Sequence, residues 1–388
     1  MHSSVTQRRL LAGIGQYNVA APHWYLTSAP CHLSKPEAIL GRLLEQRPAG
    51  VLLPAVSASL TDFIAGACGV PVVSMLDGDS RHTLRYDEEA IGAMAAEHFL
   101  QRHHRHFAYI GQDFGAWSEG RLAGFRRRLE AEGRSVEALL MPPRKGGADD
   151  APWRSPPAKL VRFLRRLPMP VAIFTGNDVL GMRVLNACRD AAIAVPEQAA
   201  VMGADNDMDL CLLCDPLLSS VEMPTQRLGR DAAAYLDALM GRRRGQEASA
   251  SDASRPVIPP PYPPVRPVVR KSSAVLAVSN TDLAAALHHI EIHACDGLSV
   301  SAVAAAVGVS RRHLERLFRD ELGRPPGEEV RRVQMEHAKN LLADTKLPRR
   351  VIAERCGISE RHLTAAFVKA FGITPSEFRT LERKPSTD

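Results

Sequence analysis

The 388-residue sequence predicts a two-lobed α/β domain followed by an all-α domain that carries two helix-turn-helix units. Three observations predict it. Up to the middle of the chain, short apolar runs bounded by turn residues alternate with helical patterns, the signature of a parallel sheet with crossover helices. A seam at 241–273 then joins a basic run, a Ser/Ala/Asp stretch and seven prolines. Beyond it the strand signal fades, and an internal repeat appears at an offset of 49 residues.

The expected strands are Trp24–Ser28, Gly50–Pro54, Pro71–Met75, Phe107–Gly111, Val136–Met141, Val171–Thr175 and Ala199–Gly203. Helical patterns occupy Val5–Val19, Glu88–Gln101, Glu119–Glu132, Lys159–Leu167 and Asp178–Ala191. Residues 1–273 exceed what one compact sheet needs, so two lobes are expected. The proline-rich part, 255–270, reads as a linker because proline disfavours helix and holds the chain extended. Within it, Val265–Arg270 can also be an edge strand, where proline is tolerated. These limits give domains at 1–273 and 274–388.

Composition narrows the class. Hydrophobic residues make up 45% and charged ones 24%, a globular balance. No apolar run approaches the ~18–20 residues of a membrane span, and no signal peptide is read at the start. Seven scattered cysteines suit reduced thiols in a cytosol better than a disulfide framework. The net charge of +6 permits a nucleic-acid partner without requiring one. Residues 280–388 hold 17 basic against 15 acidic side chains, so placement of charge matters more than its sum.

The repeat aligns GVSRRHLERLF (308–318) with GISERHLTAAF (357–367). In each copy a short apolar helix (Val300–Val307; Arg349–Cys356) ends at a glycine that can take positive φ. A serine, Ser310 or Ser359, then caps a second helix. Helix, tight turn, capped helix is a helix-turn-helix, whose second helix enters a DNA major groove. In the first copy Leu314, Leu317 and Phe318 form the buried stripe, leaving Arg311, Arg312, Glu315, Arg316 and Arg319 outward. A charge run is usually a solvated face, but four arginines in nine residues behind a cap and a glycine turn favour base readout, since arginine pairs bidentately with guanine. The second copy offers Arg361, His362 and Thr364, with Lys369 further along.

These residues, with the ending FVKAFGITPSEFR (367–379), resemble the DNA-binding domain of AraC-type transcription regulators. The resemblance implies two helix-turn-helix units, about 300–322 and 349–371, joined by a long helix at Pro326–Asp344. It places base-facing residues at Arg312, Glu315, Arg316, Arg361 and His362. Ala365 stands where the family often has arginine.

In the α/β half, Asn177-Asp178 follows the apolar run 171–175, and Asp205 follows 199–203. Loops at the carboxyl ends of parallel strands are where open α/β sheets bind ligands. Asn, Asp and Arg together suit polyols, although such residues are often only helix caps, the reading given to Asp178. AVPEQAAVMGADN (194–206), SSVEMPTQRLGRDAAAYL (219–236) and VRPVVRKSS resemble the effector domain of LacI-type regulators, relatives of periplasmic sugar-binding proteins. That resemblance implies a sugar site at Arg121, Asn177 and Asp205. Trp117, one helical turn before Arg121, can stack on a sugar face. The family's first sheet opens with a strand before its first helix. Here the chain starts in the helical pattern Val5–Val19, so that central strand is expected to be missing.

His98, His103, His104 and His106 lack partners at ligand spacing, and Cys211–Cys214 is a lone CxxC, so no metal or cofactor is expected. No catalytic constellation is found, so no enzyme is expected. A LacI-type domain ahead of an AraC-type domain resembles the bacterial xylose-operon activators. The resemblance implies a cytoplasmic, homodimeric, sequence-specific DNA-binding transcription regulator. It implies double-stranded DNA and RNA polymerase as partners and a monosaccharide effector, a pentose and xylose first. The alternative is an effector-independent regulator whose α/β domain is only a dimerisation scaffold.

Overall fold

The computed structural model describes residues 4–20, 24–27, 41, 45–54, 58–76, 81–113, 115–142, 156–243, 257–275 and 280–383. The chain forms two compact units, Met1–Val275 and Leu276–Asp388. Part of the seam, 244–256, lies outside the described residues, as does Ser28.

The first unit holds two sheets. The smaller is parallel, in the order β1 (Val51–Pro54), β2 (Val72–Met75), β3 (Thr83–Leu84). The larger contains β4 (His106–Gln112), β5 (Val136–Met141), β6 (Val171–Thr175), β7 (Ala199–Ala204), β8 (Ser219–Glu222) and β9 (Arg266–Val268), in the order β5-β4-β6-β7-β8-β9. All of its pairs are parallel except β8 with β9. Among the described residues no strand pairs with the outer edge of β1.

Helices α1 (Ser4–Ala20), α2 (Ala58–Cys68), α3 (Glu88–Gln101), α4 (Ala116–Glu130), α5 (Ala158–Arg166), α6 (Asp178–Ala191), α7 (Met208–Leu213) and α8 (Thr225–Arg243) complete the unit. The inner strands read as continuous apolar runs because alternate residues are buried on opposite faces. Phe107, Tyr109, Ala172 and Phe174 face one core, under α3, α4 and α8. Ala108, Ile110, Val171 and Ile173 face the other, with α5 and α6.

Two readings change. Trp24–Thr27 form no strand; Trp24 is tied instead to Asn18 through its backbone N–H (3.2 Å) and to Asp237 through Nε1 (3.3 Å). A β-prone run needs a neighbouring strand to complete its ladder, and among the described residues none lies beside it. The proline-rich segment is more than a spacer. Tyr262 exchanges backbone hydrogen bonds with Arg85 and Asp87 (2.9 and 2.8 Å), and its hydroxyl donates to Asp231 at 2.9 Å. Pro267 sits on the edge strand β9, where no N–H is demanded of it.

The second unit is helical: α9 (Thr281–His293), α10 (Val300–Val307), α11 (Arg311–Leu322), α12 (Pro326–Asp344), α13 (Arg349–Arg355), α14 (Glu360–Phe371) and α15 (Pro375–Arg383). It has two cores, one per repeat. Leu287, Val303, Leu314 and Phe318 pack with Val330 in the first. Ile352, Leu363 and Phe367 pack with Met335 and Leu342 in the second. The helix α12 therefore starts in one core and ends in the other. No helix among the described residues is long and apolar enough to cross a membrane.

Candidate functional site

The carboxyl ends of β4, β6 and β7 are adjacent in the larger sheet, so α4 and the loops after β6 and β7 meet at one point. Helices α3 and α4 approach closely because a side chain at Gly92 would collide with the Arg121 carbonyl, and one at Gly124 with the Glu89 carbonyl. That approach sets Arg121 on α4 against Glu88 on α3. The Arg121 side chain is 1% exposed; its Nε donates to Glu88 at 2.7 Å and its Nη1 to the Gly176 carbonyl at 2.5 Å. Asp205 lies 3.5 Å from Nη1, and the Trp117 ring centroid 5.2 Å from the guanidinium carbon. Nη2 is buried with no hydrogen-bond partner.

The electrostatics follow from burial. Desolvation alone would lower the Arg121 pKa, but Glu88 and then Asp205 overcome it and hold the guanidinium above its ordinary value. Burial pushes Asp205 up to about 6, against the pull of Arg121. Asp205 also has φ +106°, a backbone conformation that costs energy in any residue but glycine. Its loop is pinned from α1, where Arg9 donates to the Asp205 and Asn206 carbonyls at 3.1 and 2.9 Å.

The structure thus gathers Arg121, Trp117 and Asp205, with Asn177 next to the Gly176 that Arg121 contacts. One assignment is reversed. Asn177, not Asp178, caps α6, its Oδ1 accepting from the Leu180 N–H at 2.9 Å. Asp178 lies buried in the first turn and accepts from Ser220 Oγ (2.6 Å) and the Asp207 N–H (2.7 Å). An Asn-Asp pair offers two candidate caps, and the β7 and β8 ends claim the second. Sequence reasoning missed Glu88, which looks like any acid in the first turn of a helix, and Arg9, whose acceptors are backbone atoms.

In the helical unit the repeat has the geometry its residues dictate. Gly308 and Gly357 have φ +77° and +67°, and Ser310 and Ser359 accept from the His313 and His362 N–H groups at 3.1 and 3.3 Å. On α11, Arg311, Arg312, Arg316 and Arg319 are exposed, while Glu315 is partly covered and paired with Arg311 at 2.8 Å. On α14, Arg361 and His362 are exposed, and Thr364 bonds the Glu360 carbonyl at 3.3 Å. The chain ending is structural: Phe378 packs on Phe367 at 5.6 Å, and Arg379 donates to the Leu347 carbonyl at 2.6 Å.

A periplasmic binding protein-like domain is matched at residues 96–273 and a helix-turn-helix domain at 303–381. The fold and these domains define a DNA-binding transcription regulator: a binding-protein-like effector domain with an AraC-type helix-turn-helix domain. The chain is similar to the xylose operon regulatory protein of Escherichia coli K12, 29% identical over 304 residues, 77% of this chain and 74% of that one. It is also similar to the transcriptional regulator GntR of Pseudomonas aeruginosa, 30% identical over 223 residues, 55% of this chain and 62% of that one. A solved structure of a xylose-binding transcription activator superposes with TM-score 0.57, covering 98% of this chain and 96% of that one at 24% identity, a likeness of fold.

Proposed function

We propose that the protein is a sugar-responsive regulator of carbohydrate-utilisation genes, with a pentose, xylose first, as effector. The observation that carries the effector site is the buried, unpartnered Nη2 of Arg121 beside Asp205 and Trp117. A buried donor without a partner costs about 1–3 kcal/mol, and a ligand hydroxyl oxygen would relieve it. In this reading Arg121 and Asn177 donate to sugar oxygens, Asp205 accepts from hydroxyls, and Trp117 covers an apolar ring face. The names of the E. coli relative and the superposing activator support xylose. Sugar closes the two lobes of a homodimer and re-aims the helix-turn-helix units; it acts only through its differential affinity for the two arrangements. Arg311, Arg312, Glu315, Arg316 and Arg319, with Arg361, His362 and Thr364, meet the DNA. As an activator in the cytoplasm, it recruits RNA polymerase.

A panel of pentoses and hexoses in thermal denaturation tests the effector site, since a ligand of the native state stabilises by RT ln(1 + [L]/Kd). A rise with one sugar, abolished in Asp205→Asn, is the expected result. No rise with any sugar favours the scaffold-only reading.

A further inference from the structure

The helical unit brings together three metal-ligating side chains that lie far apart in the chain. Cys295 is in the turn after α9, His337 on α12 and Cys356 directly after α13, and their ligand atoms all lie within 4.8 Å of one another. The geometry points to a thiophilic metal site, for an ion of the zinc class, with two thiolates and one imidazole as ligands and the fourth position open.

Three features build it. Gly357 takes φ +67°, and a side chain there would collide with the Cys295 carbonyl, so the turn after Cys356 nests directly on Cys295. Gln334 donates from Nε2 to the Ala294 carbonyl at 2.8 Å, fixing the Cys295 turn to α12. His337 follows Gln334 by three residues, and so stands on the same face one turn along. Cys356 is buried and Cys295 half-buried, while His337 is exposed and gives an ion access.

The donor set suits zinc chemically, because sulfur and imidazole ligands in tetrahedral arrangement are its common choice. Tetrahedral zinc needs its ligand atoms about 3.5–3.8 Å apart, a spacing reached by small side-chain rotations. Burial pushes both thiols above their ordinary pKa, so without metal they are poor nucleophiles. On binding, each thiol gives its proton to solvent and its sulfur lone pair to the ion, with no change of oxidation state. The ion would tie the segment before the first helix-turn-helix, the connecting helix and the first helix of the second into one body. It would thereby set the spacing of α11 and α14.

Cobalt(II), a spectroscopic stand-in for zinc, tests this on the reduced full-length chain. The expected result is one equivalent bound, with a thiolate-to-cobalt charge-transfer band and tetrahedral visible bands, displaced by zinc. Both features should vanish in Cys295→Ser and in His337→Ala. The second replaces an exposed side chain, and an unchanged far-ultraviolet circular dichroism spectrum establishes that each variant is folded. No charge-transfer band in the reduced protein, or a band that survives in both variants, overturns the proposal. A Cys295–Cys356 disulfide formed without metal, together with no band after reduction, overturns it too.

Discussion

Arg121 in the α/β unit and Arg316 in the helical unit are both assigned to a partner, yet one is buried and the other bare. Arg121 is held by Glu88, Asp205 and the Gly176 carbonyl, whereas Arg316 lies exposed on α11 with His313 at 3.1 Å. The contrast follows from what each would bind. A small neutral ligand offers few hydrogen bonds, so its site must be dry and preorganised. A polyanion is met by solvated charges, whose binding is driven largely by counterion release. The buried charges therefore double as structure, and the exposed ones do not.

The largest expected effect breaks that double role. Glu88→Ala leaves the Arg121 guanidinium buried with only Asp205 as counter-charge, which should cost about 3–5 kcal/mol of stability. Denaturant titration should show the loss in the α/β unit and leave the helical unit's transition unmoved. Arg316→Ala should do the opposite. It should weaken binding to a specific DNA site by ~1–3 kcal/mol at one base position, while changing stability by less than about 0.5 kcal/mol. Equal weakening on random DNA would make Arg316 a phosphate contact.

A smaller effect sharpens the comparison through pH. His104 is buried at the end of α3 with both ring nitrogens unpartnered, and burial lowers its pKa from 6.5 to about 3. Between those values the unfolded chain holds a proton that the folded one refuses. Stability from this group is therefore intact above pH 6.5 and is lost as pH falls toward 3. At pH 5 the loss should be about 2 kcal/mol in the α/β unit. His104→Leu should flatten that acid slope, as read by melting temperature against pH.

The repeat was legible because each copy states its own geometry: glycine, serine cap, apolar stripe and arginines fall at fixed offsets. The inner strands were legible because strands buried on both faces leave continuous apolar runs. What escaped depends on contacts distant in sequence. Trp24–Thr27 have strand-forming residues but no neighbour to pair with. Asn177 and Asp178 are equivalent candidates as caps until Ser220 and Asp207 claim the second. Glu88 is one acid among several until Gly92 and Gly124 bring its helix against α4. Cys295, His337 and Cys356 follow no ligand spacing; only the packing of the second unit gathers them.

The most direct test of the central claim is DNA affinity with and without sugar, on a site selected by the full-length chain from random DNA, at fixed salt. The account predicts that one pentose, xylose first, changes Kd by roughly 5–150-fold, the usual range of allosteric coupling, and that Asp205→Asn abolishes the change. A Kd that no sugar alters, in a protein whose Arg316→Ala variant still loses specific binding, would contradict it and leave a regulator that answers to no sugar.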